Sequence, residues 1–570
     1  MKKISLILML ILLFALSVSL IACHTDQTTQ ETTTALPTTN TPTSTTESLV
    51  SVPPITKQFL LDAEIETVLP TPKMPSLLYT MAPPDTKDDL LSAVSLQGIL
   101  AATSDERIVI SYDKSAQNFT TVIKTYYKDT CSFKNLSSVW YYLKQHPTVV
   151  KGYILTDLGD DSVNVATSLA GILEAIIVTP ENESNAKANG LTCLLDVREY
   201  DDAWLRKSEY FARLNKDITF MLSPDGIEFL RDYAIFNHAY LFTDADTSQL
   251  SLRSRVSHMN PGFTVLGWNN NCGEHGTVSV LSALNGCLIP ADYAKNIATL
   301  ASYPLASAHQ KTKDTAASGK GKHTVCLVMS DGNNLQWVLN DFMTSSKWFS
   351  SMKRGKFPFA WGLPAAMIDI ASPAFMYYYK NMKANEEYIM ELSGLGYTFP
   401  SKWKDKNALA TMQSKVIESM KRADMSVLEI LDDVTLSQTV VDTYYQGFLK
   451  DEAILGALYI DYGNYAAYQG KIFWTNQKPL VTAKYRLWAG TDSIEDIAAA
   501  INRASTDETS EHAYTFITVH AWSGLDSDGN FVAGGNTMEA VYQLVTMLDK
   551  DVELVTPSEF LSRITENVAP

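Results

Sequence analysis

The chain is 570 residues long, 46% hydrophobic and 19% charged, with a formal net charge of −17 and a pI near 5.0. No basic stripe accompanies this acidity, so nucleic acid is excluded as a partner. The length exceeds one ordinary domain, and the six cysteines are scattered without a CxxC, which excludes a disulfide framework and a cysteine metal site.

The first element is a leader. Lys2-Lys3 precedes an apolar run from Ile4 to Ile21, and Leu20-Ile21-Ala22-Cys23 resembles the lipobox of bacterial lipoproteins. That resemblance implies cleavage before Cys23 and lipidation of it. An ordinary cleaved signal peptide or a signal anchor is the alternative. Residues 23–52 are threonine-rich, with Pro37 and Pro42 and no lysine or arginine. Too little apolar surface is present to offset the entropy of ordering them, so they read as a tether. The expected location is the extracellular face of a membrane, of Gram-positive character, held through the N-terminal lipid alone.

Residues 53–308 alternate short apolar strands with helices. Strands are expected at Arg107–Tyr112, Lys151–Asp157, Ala175–Thr179, Gly190–Leu195, Ile218–Leu222, Ala239–Phe242 and Phe263–Trp268, with a helix over Ser162–Ala175. This rhythm predicts layered α/β structure with parallel pairing. Residues 309–322 are polar and Lys/Gly-rich, and read as a linker.

From residue 323 onward eight apolar strands are expected: Thr324–Ser330, Phe357–Gly362, Glu387–Leu392, Ser426–Leu431, Ala457–Asp461, Pro479–Tyr485, Ala513–His520 and Val552–Val555. Helices or long loops separate them, at Leu335–Phe349, Ala374–Ala384, Asn407–Arg422, Gln438–Asp451, Ser493–Arg503 and Thr537–Leu548. Eight β–α units in roughly 250 residues is the size of a (β/α)8 barrel, whose function sits at the C-terminal ends of the strands.

Those ends are polar. The first strand runs into Ser330-Asp331-Gly332-Asn333-Asn334, and the third carries Glu391. The fourth carries Glu429, the fifth ends Ile460-Asp461-Tyr462-Gly463-Asn464-Tyr465, the sixth ends at Arg486, and the seventh ends His520-Ala521-Trp522. An Asp-Gly turn with a helix cap is the alternative for Asp331, and a solvated loop carboxylate or cap for any one of the other acids. After the third strand comes Gly394-Leu395-Gly396-Tyr397-Thr398-Phe399-Pro400. Two glycines permit close backbone approach and a proline fixes φ, so Tyr397 is held at a defined place.

This stretch resembles the signature of the GxGYxYP putative glycoside hydrolases, with Phe399 where the pattern has tyrosine. Further pieces are similar to the N-terminal region of that family: Ser95–Ile99, Asn164–Gly171, and Leu266-Gly267-Trp268 followed by Glu274. The resemblance implies a carbohydrate substrate. Glycoside hydrolysis needs two carboxyl groups, one as acid and one as base or nucleophile, with pKa values held apart. The candidates are Asp331, Glu391, Glu429 and Asp461. Asn333, Asn334, Tyr397, Trp403, Tyr462, Arg486, His520 and Trp522 are candidates for gripping the sugar, the aromatics by stacking on its C–H faces. No His-x-x-x-His pair, GxSxG elbow or Walker A loop is present, so no metal and no cofactor is expected. A non-catalytic glycan- or solute-binding lipoprotein is the second reading. Two carboxyls about 5–10 Å apart across the mouth favour hydrolysis over it.

Overall fold

The computed structural model describes residues 58–61, 65–243, 248–268, 272–310, 319–568 and 570. The expected leader, Cys23, the tether and the centre of the 309–322 connection lie outside the described residues.

The N-terminal region holds three small parallel sheets. Strand Leu77–Met81 lies between Glu106–Ile110 and Ser132–Leu136. Strand Gly152–Leu155 lies between Ala175–Val178 and Cys193–Asp196. The third sheet runs Cys287–Ile289, Thr264–Gly267, Ile218–Met221, Leu241–Phe242. Helix Lys87–Thr103 is buried continuously from Leu91 to Ala101. It is buried around its circumference, with Ser92, Ser95 and Gln97 hydrogen-bonded inside, and so shows no amphipathic period. It packs on helix Arg231–Phe236, as does helix Ser162–Leu173. A Cβ on Gly98 would lie 2.5 Å from Asp232 O, and one on Gly171 would lie 2.2 Å from Ile235 O.

The C-terminal region is built on one ten-stranded sheet. Its strands are β1 (His323–Met329), β2 (Phe359–Leu363), β3 (Glu386–Met390), β4 (Val427–Asp432), β5 (Gly456–Asp461), β6 (Ile472–Thr475), β7 (Lys478–Thr482), β8 (Tyr485–Leu487), β9 (Tyr514–Val519) and β10 (Val552–Val555). The order is β6-β7-β5-β4-β3-β2-β1-β9-β8, with β10 also on β1. All pairs are parallel except the β6–β7 hairpin. On one side β1 pairs with β10 along His323–Cys326, then with β2 at Val328 and Met329.

Alternate residues of β1 enter different cores. Val325, Leu327 and Met329 pack with the helices, while Cys326 and Val328 join Ala360, Ile389, Leu458, Ile460 and Val481 on the other face. Both faces being buried explains the nearly unbroken apolar runs in the sequence. The last helix, Pro557–Asn567, packs on β1 and β7, which are well separated in the sheet order, and on strands between them. Ser558 N donates to Glu387 Oε2 at 2.9 Å, and a Cβ on Gly456 would lie 3.1 Å from Leu561. The sheet is therefore curled around this helix at its N-terminal end.

The mixed α/β class with a curled, mostly parallel sheet agrees with the sequence reading, but the sheet has ten strands rather than eight. The expected strand Pro479–Tyr485 is two strands, β7 and β8, and β6 was not expected. The expected helix Leu335–Phe349 is two short pieces, Leu335–Val338 and Asp341–Thr344. Between them Asn340 leaves helical geometry, and its Nδ2 donates to Gln336 O and Tyr293 O at 2.8 and 3.1 Å. This is the competition between a short amide side chain and the helix ladder.

Candidate functional site

The apolar strand β1 delivers Asp331 into a turn with φ of 65°, a left-handed conformation that aspartate tolerates better than most residues. Ser330 Oγ donates to Asp331 Oδ2 at 2.6 Å. The turn aims Gly332 N at Glu391 Oε2, 2.8 Å away. A Cβ on Gly332 would lie 1.8 Å from Gly362 O, and a Cβ on Gly362 would lie 1.8 Å from Glu391 Cδ. The ends of β1, β2 and β3 thus close around one carboxyl, and only glycine fits at two of the three contacts.

Glu391, just past β3, and Glu429, within β4, are each 1% exposed. Glu391 Oε1 and both Glu429 oxygens find no donor among the protein groups. Burial pushes Glu391 well above the usual carboxylate range, and the Glu429 charge pushes it further. Burial raises Glu429 to about 7; the Glu391 carboxyl beside it opposes that rise, and Asp331 adds to it. Two buried acids beside one another with no cation at hand do not both ionise, so the pair keeps a proton.

Above Glu429 opens a cavity of about 300 Å³. Asp331, Asn333, Asn334, Gln336 and Trp337 form one wall, and Leu392, Tyr397, Leu431, Ile460 and Tyr465 another. Asn333 is 3% exposed and its Nδ2 finds no acceptor among protein groups. A buried donor left so costs about 1–3 kcal/mol, which a ligand oxygen would recover. The roof is Trp268, Glu274, Asp292 and Tyr293, all from the N-terminal region, and among the described residues no lysine, arginine or histidine lines the space.

Glu274 begins helix Gly273–Ala283 and accepts a 2.7 Å hydrogen bond from Tyr397 Oη. Burial raises its carboxyl, the tyrosine bond opposes that, and Asp331 adds to it. Tyr397 is itself fixed by its backbone. Its N donates to Leu288 O at 2.6 Å and its O accepts from Leu288 N at 2.9 Å. A Cβ on Gly396 would lie 2.5 Å from Leu288 O. The motif loop is therefore a bridge from the large sheet to the edge of the four-stranded one. Phe399 is fully buried, its ring 5.8 Å from Tyr397 and 5.5 Å from Tyr462, both edge-on. No phenolic oxygen is present there to use.

The residues expected from the sequence therefore divide. Asp331, Asn333, Asn334, Tyr397 and Glu429 line the cavity, and Glu391 lies in contact beneath. Asp461 Oδ1 instead accepts from Asn464 N at 2.9 Å and caps its own turn. Arg486 is spent on Asn464 Oδ1 at 2.6 Å and Asp492 Oδ2 at 3.1 Å. Trp403 is buried, donating to Thr398 Oγ1 at 2.8 Å. Tyr462 packs on Phe399 and His275. His520 stacks on Trp488 with centroids 3.9 Å apart, and its Nδ1 meets the Ser523 hydroxyl at 2.9 Å. Burial lowers its pKa and Asp331 opposes this, which places it within electrostatic reach of the cavity. Trp522 packs edge-on to Trp337 at 5.1 Å and backs the wall.

Trp268, Glu274, Asp292, Tyr293 and Tyr465 were not among the expected site residues. Trp268 and Glu274 do stand in the Leu266–Glu274 run, and Tyr465 in the polar end of β5. Nothing local marks Asp292 or Tyr293. Among the described residues no group of histidine, cysteine, aspartate and glutamate side chains is arranged to hold a metal ion.

Comparison with known proteins places these segments. Residues 321–565 match the GxGYxYP putative glycoside hydrolase C-terminal domain, residues 150–214 the GxGYxYP_N second domain, and residues 216–302 the GxGYxYP third domain. The solved structure of a putative hydrolase from Bacteroides thetaiotaomicron VPI-5482 is similar in fold. Its TM-score is 0.77 at 24% sequence identity, over 89% of this chain and 100% of that one. Nothing among curated proteins matches. With three of its segments matched from residue 150 to 565, and the motif tyrosine joining two of them at the cavity, this chain belongs to the GxGYxYP family.

Proposed function

We propose that the protein hydrolyses a glycosidic bond, with Glu429 as the proton donor and Asp331 as the carboxylate on the other side of the bond. The observation that carries this is the pair of buried carboxyls, Glu391 and Glu429, under an aromatic-walled cavity that the less buried Asp331 also lines. A carboxyl titrating near 7 is matched to giving and retrieving a proton at neutral pH. Glu391 touches Gly332 and Glu429 rather than the open space, and acts as a positioning residue: its own carboxyl is held well above the usual range, and its contact restrains the rise of Glu429. Asn333 donates to a sugar hydroxyl, and Trp268, Trp337 and Tyr465 offer ring faces to the sugar. Membership of a family named for putative glycoside hydrolases supports the same reaction class.

The curled sheet is read here as a variant of the (β/α)8 barrel. Two hydrogen bonds support that reading. Ala483 N donates to Tyr459 O of β5, and the next residue, Lys484, donates to Phe516 O of β9, both at 2.9 Å. A single chain segment thereby links the two ends of the sheet. The Leu20–Cys23 sequence supports anchoring of the enzyme to the outer face of a membrane by lipid on Cys23.

The test is turnover of a panel of aryl glycosides and polysaccharides. Asp331→Asn and Glu429→Gln should each lower kcat by about 10³-fold or more while the melting temperature stays near that of the unmodified protein. Asp461→Asn should keep its activity. Full activity of either of the first two variants removes that residue from the mechanism. If the unmodified protein cleaves nothing on a broad panel, the binding-protein reading stands in its place.

A further inference from the structure

A second cavity, of about 390 Å³, adjoins the first. The two share Tyr293, Gln336 and Trp337, so these residues form the partition between them. The far side is made by Asp113, Phe229 and Lys295 of the N-terminal region, and by Asn340 and Thr344 of the short helices after β1. Tyr293 is 45% exposed, unusual for so large a ring. It is held in place nonetheless. Phe229 packs edge-on to it at 5.2 Å, Trp337 lies 5.9 Å away, and its carbonyl accepts from Asn340.

The chemistry of this second space is that of a sugar subsite. Aromatic surface from Tyr293 and Trp337 lies beside the planar amides of Gln336 and Asn340 and the hydroxyl of Thr344. Its charges balance in number: Lys295 Nζ meets Asp113 Oδ2 at 3.0 Å, and Lys114 and Asp341 add one of each sign. The first cavity carries Glu274, Asp331 and Glu429, and among the described residues no lysine or arginine lines it, so an anionic sugar entering it would face carboxyl groups with no cation opposite.

We propose that the ligand is a neutral oligosaccharide lying across both cavities. One unit sits over Glu429 and Asp331, and the next sits beyond the Tyr293–Trp337 partition in a subsite that the N-terminal region completes. The inference rests on the hydrolase reading only for its kinetic arm. The occupant of the second cavity is argued from its continuity with the first, and from an exposed yet immobilised ring.

The test uses the full chain and two variants confined to the second cavity. Thr344→Trp fills it and Lys295→Met breaks its ion pair, so one remains if the other misfolds. Probes are one- to four-unit oligosaccharides of glucose, xylose, mannose and galactose, with oligogalacturonates as the anionic arm. In the unmodified protein kcat/KM should rise with length. The variants should lose about tenfold or more on the longer substrates while an aryl monoglycoside is cleaved within about twofold of the original rate. Equal losses on short and long substrates, or no loss on either, overturn the proposal. If nothing is cleaved, the hydrolase reading fails by itself, and calorimetry with the same ladder decides this one. Affinity that rises with length and falls in the variants supports it. Length-independent affinity, tighter binding of oligogalacturonate, or no binding at any length overturns it.

Discussion

Glu429 is where stability and chemistry meet in one side chain. Its folded pKa of about 7 stands above the ordinary 4.5. The folded state therefore holds a proton that the unfolded chain releases. That contribution is complete below about pH 4 and is lost as pH rises through about 7, an effect on the order of 3 kcal/mol. Thermal unfolding followed by calorimetry should show stability falling from pH 5 to pH 8, and Glu429→Gln should flatten that slope. A turnover that requires protonated Glu429 should decline on the alkaline side of about pH 7. A wild-type stability that rises across this window would show that the carboxyl is ionised in the fold.

Strand β2 has a role at the site without supplying a reacting group. Its Gly362 is the surface on which the Glu391 carboxyl lies, and its carbonyl is the surface on which Gly332 lies. Gly362→Ala forces the carboxyl away from Gly332 N, since the added methyl and Glu391 Cδ would claim the same space. The expected cost is about 1–3 kcal/mol of stability, as for an overpacked core. The more specific expectation is that the apparent pKa governing turnover rises, because Glu391 no longer sits beside Glu429 to hold its pKa down. A pH–rate profile of Gly362→Ala against the unmodified protein checks this. An unchanged profile with lowered stability would make the glycine a packing residue only. At this scale the sequence spoke clearly for strands with both faces buried, because β1 and β5 are mostly apolar runs that lead into polar residues, and β4 is interrupted only by Glu429. It spoke poorly where context decides. Helix Lys87–Thr103 has no polar face to reveal its period, Cys287–Ile289 is too short to register, and Asn340 breaks a helix through a contact with a residue far away in the chain.

The same limit explains the site. Asp331, Asn333, Asn334, Tyr397 and Glu429 were legible because they follow or lie in strands of one sheet, whose ends share a side. Glu274, Asp292 and Tyr293 come from another sheet system, and periodicity carries no information about which sheet edge meets which loop. Trp403 and Asp461 mark the opposite error. A residue at a strand end also has a local task, capping a turn or filling the core under the loop, and sequence does not rank the two. Both large apolar cores draw residues from the N-terminal and the C-terminal regions. The Arg422–Asp369 ion pair, 2.6 Å and buried, takes backbone donors from Val68 and Leu69, while Arg422 donates to Leu305 O and Ala306 O. Residues 321–570 produced alone should therefore be insoluble or lack a cooperative melting transition, and should bind no sugar. A soluble, sharply melting fragment would show that the two regions are energetically independent.

The bridge between Tyr397 and Leu288 has a consequence for how the protein is made. Strand Cys287–Ile289 is the edge of its sheet, and an apolar edge with free backbone groups invites pairing with any passing strand. Synthesis runs from the N-terminus, so that edge emerges well before the loop that covers it, by about ten seconds at common translation rates. A chaperone or export factor would have its greatest effect during that interval. A ribosome stalled before residues 394–400 have left its exit tunnel would leave a nascent chain prone to self-association, whereas release of the full chain would remove that tendency.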